Sequence, residues 1–193
     1  MAMKTLFMRL ATLVVGIVLL AVGASGQGSN DAELTAQLKK LFPNAATFSA
    51  KTGTPGHYKA FGPGAAGKEG ELLGLAYWTT ELEPLERGFD GPIKMLVGLN
   101  VAGEITSVIV TDHREPYGYF SVDLPDWPTQ FEGKSIRDAF KVGADVDAIS
   151  RATITVQSAS RAIRNSSRKI ARAHLAPPAP PAGGAPAPAA AAQ

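Results

Sequence analysis

The segment Asp147-Ala148-Ile149-Ser150-Arg151-Ala152-Thr153-Ile154-Thr155 sets a carboxylate and three hydroxyl groups just ahead of an amphipathic stretch. Two kinds of chemistry are open to it. Asp, Ser and Thr oxygens can accept the unpaired amide protons of a first helical turn, which is ordinary N-capping. The same helix start can hold a phosphate, because free amides and the positive end of the helix dipole favour an anion. A hydroxyl placed there can bind a phosphate-bearing cofactor or be esterified by one. Spacing alone leaves both readings open.

Other chemistries find little support. His57, His113 and His174 are scattered, with no His-x₃-His or similar spacing, so no zinc or iron site is expected. His174 falls at the end of a predicted helix, where a cation meets the dipole favourably. Gly62-Pro63-Gly64 lacks the strand–turn–helix context of a phosphate loop, and no nucleophile elbow, P-loop or GxGxxG stands out. No second carboxylate cluster faces Asp145 and Asp147, which argues against a glycosidase pair. A hydrolase is further disfavoured because no nucleophile–base pair can be named. The chain has no cysteine. That excludes disulfides, a lipid-modified cysteine, thiolate iron–sulfur ligation and haem attachment through Cys-x-x-Cys-His. Redox chemistry would need an organic cofactor, or a metal held by other ligands. The formal charge of +2 is too small an excess to argue for nucleic acid.

With 193 residues the chain is long enough for one domain with a sizeable core. Residues 1–25 read as a signal peptide or membrane anchor. Lys4 and Arg9 precede the apolar run from Leu10 to Val22, and small residues follow from Gly23 to Gly26. That run is short for a membrane span, which needs about 20 residues. On either reading the rest of the chain is expected to be translocated. Residues 28–175 are expected to form the folded domain. Residues 176–193 are Ala, Pro and Gly, ending in Gln193, without charge, and read as a disordered tail.

Within the domain, Asp31 to Phe42 has helical spacing, with Leu34, Leu38 and Leu41 on one face, Asn30 or Asp31 as a cap and Pro43 as the stop. Strand-like pieces follow at Thr47–Ala50, His57–Phe61 and Leu72–Thr80, with a small-residue loop from Gly62 to Gly70. Ile93–Val101 and Ile105–Thr111 predict a hairpin turning at Ala102-Gly103. His113 to Phe120 is polar and aromatic. Asp123 to Gly133 is loop-like, and Ser135 to Phe140 suggests one or two helical turns. A helix from Val156 to His174 sets Val156, Ala159, Ile163 and Ile170 on one face and Arg161, Arg164, Arg168 and Arg172 on the other. Strands followed by a long helix, without βαβ alternation, predict an α+β fold: a single domain with an antiparallel sheet and a long C-terminal helix.

Asp147-x-x-Ser150-x-Ala152-Thr153 resembles the flavinylation motif of the FMN-binding domain family. That family includes flavin subunits of sodium-pumping quinone reductases and Rnf-type complexes, and the exported flavin domain of nitrous-oxide-reduction regulators. Further pieces occur in the family's order. Gly88-Phe89-Asp90-Gly91-Pro92-Ile93 is similar to its Gly-aromatic-x-Gly-Pro-Ile segment, and Leu96 to Ile105 to its glycine-containing strand pair. His113-Arg114-Glu115-Pro116-Tyr117-Gly118 and Leu41-Phe42-Pro43-Asn44-Ala45 resemble the regulator branch. Together these cover about Leu38 to Ala173. The family usually has glycine immediately before Ala-Thr, where this chain has Arg151. Glycine permits close approach and unusual torsions, whereas arginine offers a phosphate a charge partner.

The resemblance implies FMN joined to Thr153 through a phosphoester, with Asp147, Ser150 and Ala152 as the other motif residues. Thr155 is the nearest competing hydroxyl. His113, Glu115, Pro116, Gly118, Tyr119 and Gly91 are expected around the ring, with Pro92 shaping one wall and Tyr117 or Tyr119 stacking. The implied protein is an exported electron carrier, matured by a separate flavin transferase. It would exchange electrons with membrane or periplasmic redox proteins and associate with the membrane through its N-terminus. The other class open to the sequence is a non-redox exported binding or sensory module that keeps the fold without covalent flavin. The colour of the purified protein separates the two. The arginine-rich helix face is either a solvated surface or a docking face for a partner or an anionic membrane.

Overall fold

A computed structural model describes residues 27–65, 68 and 70–175. The candidate leader and the Ala/Pro tail lie outside the described residues. Among the described residues, no helix is long and apolar enough to cross a membrane.

The order of elements is α1 (Gln27–Leu41), β1 (Thr47–Phe48), β2 (Tyr58–Phe61), β3 (Leu72–Trp78), α2 (Thr79–Leu82), β4 (Lys94–Asn100), β5 (Ile105–Asp112), a 3₁₀ turn (Gly118–Phe120), α3 (Asp126–Thr129) and α4 (Thr153–His174). The five strands form one antiparallel sheet in chain order. The architecture is the α+β fold that the sequence pattern implies.

Side-chain alternation in the strands builds two cores. Leu75, Tyr77, Met95, Val97, Leu99 and Val108 point to one face of the sheet, where they meet Val156, Ala159, Ile163 and Ile170 of α4. Ala60, Ala76 and Leu96 point to the other, against Leu38, Leu41 and Phe42 of α1. β4 is therefore covered on both sides, and Met95, Leu96, Val97 and Leu99 are fully buried. All four apolar positions expected on the inner face of α4 have no exposed surface. A hydrogen bond joins sheet to helix: the Tyr77 hydroxyl donates to Ser167 Oγ at 2.6 Å. Burial pushes the Tyr77 phenol above its ordinary range, so it remains a donor.

Several boundaries differ from the sequence expectation. α1 begins at Gln27, so Asn30 and Asp31 lie inside it and not ahead of it. β1 is only two residues long; Ser49 still bonds Lys59 O through its amide at 3.0 Å, but Lys59 N turns to the Ser49 hydroxyl and the backbone ladder stops there. α4 begins at Thr153, three residues before Val156. A short helix, α3, sits in the expected loop; it tolerates Pro128 because a first turn has no amide bond to lose there. Ser135–Phe140 is not helical. Instead Ile105 N bonds Lys134 O, Ile136 N bonds Gly103 O, and Glu104 pairs with Ser135, so the segment runs beside the hairpin. Phe140, at φ 52°, then departs from helical geometry.

Two imidazoles, tilted by 41°, pack together at the C-terminal end of α4. His57 is 2% exposed, and its ring lies 4.1 Å from that of His174, centroid to centroid. Burial lowers the His57 pKa below its usual value, and the positive fields of His174 and Lys59 add to this against a raising contact from the Pro55 carbonyl. An unfolded chain takes up the His57 proton at higher pH than the folded one, so stability falls as pH drops through the ordinary histidine pKa of about 6.5. Thermal unfolding at pH 7.5 and 5.5 should show a loss of Tm on acidification that His57→Gln reduces.

Candidate functional site

The start of α4 is a built feature. Ala152 N bonds Ile149 O at 3.2 Å, closing a tight turn with Ser150 and Arg151 at its centre. Arg151 has φ 68°, the left-handed conformation that a turn asks of its third residue and that glycine adopts without strain. This turn sets Ala152 as the residue before the helix. No side chain caps it. The first helical bond runs from Val156 N to Ala152 O at 2.9 Å, so the amides of Thr153, Ile154 and Thr155 have no helical acceptor. They meet at the positive end of a 22-residue helix.

The two threonines of this turn have opposite environments. Thr155 is 2% exposed, and its hydroxyl donates to Glu115 Oε2. Thr153 is exposed, and among the described residues no hydrogen bond takes up its hydroxyl. It opens into a cleft of about 220 Å³ lined by Phe89, Tyr117, Arg151, Ala152, Ile154 and Thr155. Three of these lining groups, Phe89, Tyr117 and Ile154, are large apolar side chains left 65%, 44% and 53% exposed. Exposed apolar groups gathered round one free hydroxyl are unusual on a monomer surface and mark a place for a ligand.

Glu115 holds the cleft together. It is 6% exposed. Its oxygens accept from Phe89 N at 2.9 Å and Asp90 N at 3.1 Å, as well as from Thr155. One carboxylate thus ties the Gly88–Asp90 loop to the first turn of α4. Gly88 has no room for a side chain, since a Cβ there would stand 2.4 Å from Glu115 Oε1. Beneath it, Glu115 N donates to His113 Nδ1 at 3.1 Å, so a neutral His113 carries its proton on Nε2, which faces Asp123 Oδ1 at 2.7 Å. Gly118 closes over that ring: a Cβ would stand 2.2 Å from His113 Cε1.

The expected site residues therefore fall into two layers. Thr153, Ala152 and Tyr117 line the cleft. Glu115, His113 and Gly118 are knitted into the loop behind it. Gly91, at φ 138°, shapes the Gly88–Asp90 loop by accepting from Gly88 N at 2.7 Å. Asp147 N bonds Gln130 Oε1 at 2.7 Å, and Ser150 occupies the tight turn. Pro116 precedes the 3₁₀ turn, and Tyr119 is 70% exposed with its ring edge-on to Phe120 at 4.8 Å. Neither lines the cleft around Thr153. Phe89 and Ile154 do, and reasoning from sequence passes over them as ring contacts. Their signal is present: an aromatic between two loop glycines, and an apolar residue at an otherwise polar helix start.

These features fit a ligand that joins a phosphate to a flat apolar body. Residues 88–167 match the FMN-binding domain family. The cofactor assigned to this domain is FMN, and the matched span runs from the Gly88 loop to the middle of α4. Among similar proteins are three that are each named as one subunit of an ion-translocating oxidoreductase complex. That of Vibrio vulnificus is 32% identical over 88 residues, covering 40% of this chain and 42% of the relative. That of Shewanella oneidensis is 31% identical over 145 residues, covering 70% and 63%. That of Escherichia coli K12 is 34% identical over 87 residues, covering 40% and 42%. The chain thus spans between 42% and 63% of the length of these relatives.

Removing the clasp should loosen the cleft measurably. Glu115→Ala leaves two amides and a buried hydroxyl without an acceptor, at an expected cost of about 2–4 kcal/mol in chemical denaturation, with Glu115→Gln costing less. Arg151→Gly relieves a left-handed arginine, worth about 1–2 kcal/mol, against glycine's added chain entropy of about 0.5–1 kcal/mol. A small gain, under about 1.5 kcal/mol, is expected in the same assay.

Proposed function

We propose that this protein is an exported electron carrier whose FMN is joined through its phosphate to Thr153. The observation that carries the reading is the contrast between the two threonines: Thr153 presents a free, exposed hydroxyl in the apolar cleft, while Thr155 is buried and bonded to Glu115. Bound FMN supplies one- and two-electron redox chemistry. The chain supplies the rest. The uncapped amides of Thr153 to Thr155 and the helix dipole favour the phosphate charge. Arg151, lining the same cleft, adds a cation beside it. Phe89, Tyr117 and Ile154 give a flat ring an apolar seat. Glu115, His113 and Gly118 hold that seat from behind, and Asp147 and Ser150 lead into the turn that presents the acceptor.

Covalent attachment suits a carrier outside the cytoplasm, where a dissociated flavin would be lost by dilution. A separate flavin transferase would make the bond, residues 1–25 would direct export or anchor the chain, and redox proteins at the membrane would be its partners. The relatives named as subunits of an ion-translocating oxidoreductase complex support a role beside such partners. A second reading, a non-redox module without covalent flavin, draws on one observation: a left-handed arginine stands where the maturing enzyme must approach.

Coexpression with an active flavin transferase should add the mass of FMN less one water to the denatured protein. Thr153→Ala should abolish the gain, and Thr155→Val should keep it in the folded fraction. No gain in the wild type, with the transferase active on another substrate, would overturn the covalent carrier in favour of the second reading.

A further inference from the structure

The outer face of α4 carries a groove that the flavin cleft does not use. It holds about 590 Å³ and is lined by Gln157, Arg161, Arg164 and Arg168 on the helix and by Phe140, Lys141 and Val142 on the loop beside it. At 100° per residue, Thr153, Gln157, Arg161, Arg164 and Arg168 fall within about 80° of the helix circumference. One stripe therefore begins at Thr153 and continues as the groove wall.

The groove is cationic by construction. Arg161 is paired with Glu86 at 2.8 Å. Among the described residues no carboxylate lies within 4.0 Å of the Arg164, Arg168 or Lys141 charges. The nearby acids are engaged elsewhere: Asp138 accepts from Ser135 N at 2.9 Å, and Asp145 accepts from Phe140 N and Lys141 N and faces Lys134. Arg168 is held in place by neutral acceptors, donating from Nε to Ile136 O at 2.7 Å and from Nη2 to Asp138 O at 2.8 Å. Carbonyl bonds fix the guanidinium plane without cancelling its charge, leaving donors free for an incoming carboxylate.

We infer that this groove docks an acidic segment of a redox partner protein. From Gln157 to Arg168 the helix rises about 16 Å, the length of about five extended residues. That is too long for a single small anion. The cations lie in one line along the helix beside half-buried Val142, which suits an extended chain segment. Arg161 lies about 12 Å along the helix from Thr153. A partner held there has its surface against the residue proposed to carry the flavin. The functional consequence rests on the Thr153 reading, whereas the groove does not.

Binding of a ten-residue glutamate peptide to the full chain, followed by calorimetry at low salt, tests the inference. Arg164→Glu/Arg168→Glu should weaken binding at least tenfold. Lys40→Glu/Lys68→Glu makes the same charge change away from the groove and should weaken it less than threefold. Lys141→Glu, whose ammonium makes no bond that the fold needs, should also weaken binding, and serves if the double variant fails to fold. Thr153→Ala should bind as the wild type does, so a failed flavin attachment leaves this result interpretable. Equal losses in the groove and control variants would overturn the proposal. So would groove-dependent binding to phosphatidylglycerol vesicles without peptide binding, which would assign the surface to lipid.

Discussion

Everything at the start of α4 depends on where the Glu115 carboxylate goes. It lies just after β5, 26 positions beyond Phe89 and 40 before Thr155, yet it reaches both the Gly88–Asp90 loop and Thr155. A buried carboxylate is costly unless its oxygens are occupied, and here two amides and a hydroxyl occupy them. The result is a rigid three-way junction. It fixes the height of the first helical turn against an aromatic loop, and it takes up the hydroxyl of Thr155 while that of Thr153 stays exposed. Burial thereby separates two threonines two residues apart.

The helix itself is anchored far from this junction. Val156, Ile163 and Ile170 are buried against the sheet, Tyr77 bonds Ser167, and the tilted His57–His174 pair sits at the far end. Because packing along its length holds α4, its N-terminus can do without a side-chain cap. Uncapped amides on a free helix would cost stability, often about 1 kcal/mol for a lost cap. On a helix pinned by its core face they are held preorganised, as an anion seat requires. The left-handed Arg151 follows the same logic: local strain is tolerated where the surrounding structure over-determines the backbone.

The layered fold was legible in the sequence because its signals are periodic. Apolar, β-prone runs at Leu72–Trp78 and Ile93–Val101 mark strands, and the 3.6-residue repeat of α4 reports which of its faces is buried; that β4 is covered on both sides was not readable from so continuous a run. Boundaries were less legible. Asp31 looks like a cap but lies inside α1, and Ser135–Phe140 looks helical until the backbone pairing of Glu104 with Ser135 claims it. At the site, motif order identified the segment, but two facts were hidden. Nothing in the spacing says that Glu115 turns towards Phe89 and Thr155, because that contact joins residues 26 and 40 positions apart. Nor does it say that Tyr117, and not Tyr119, faces the cleft, since a 3₁₀ turn decides the direction.

The central claim is a bond between Thr153 and a flavin phosphate, and phosphorus NMR of the intact, matured protein tests it most directly. A phosphate monoester takes up a second proton near pH 6, so its resonance moves between pH 5 and 8. A phosphodiester has no such proton. A single protein-bound phosphorus signal that stays fixed across that range, and disappears in Thr153→Ala, is the predicted result. A bound signal that titrates with a midpoint near 6 would contradict the account, because the flavin would then be held without a bond to Thr153.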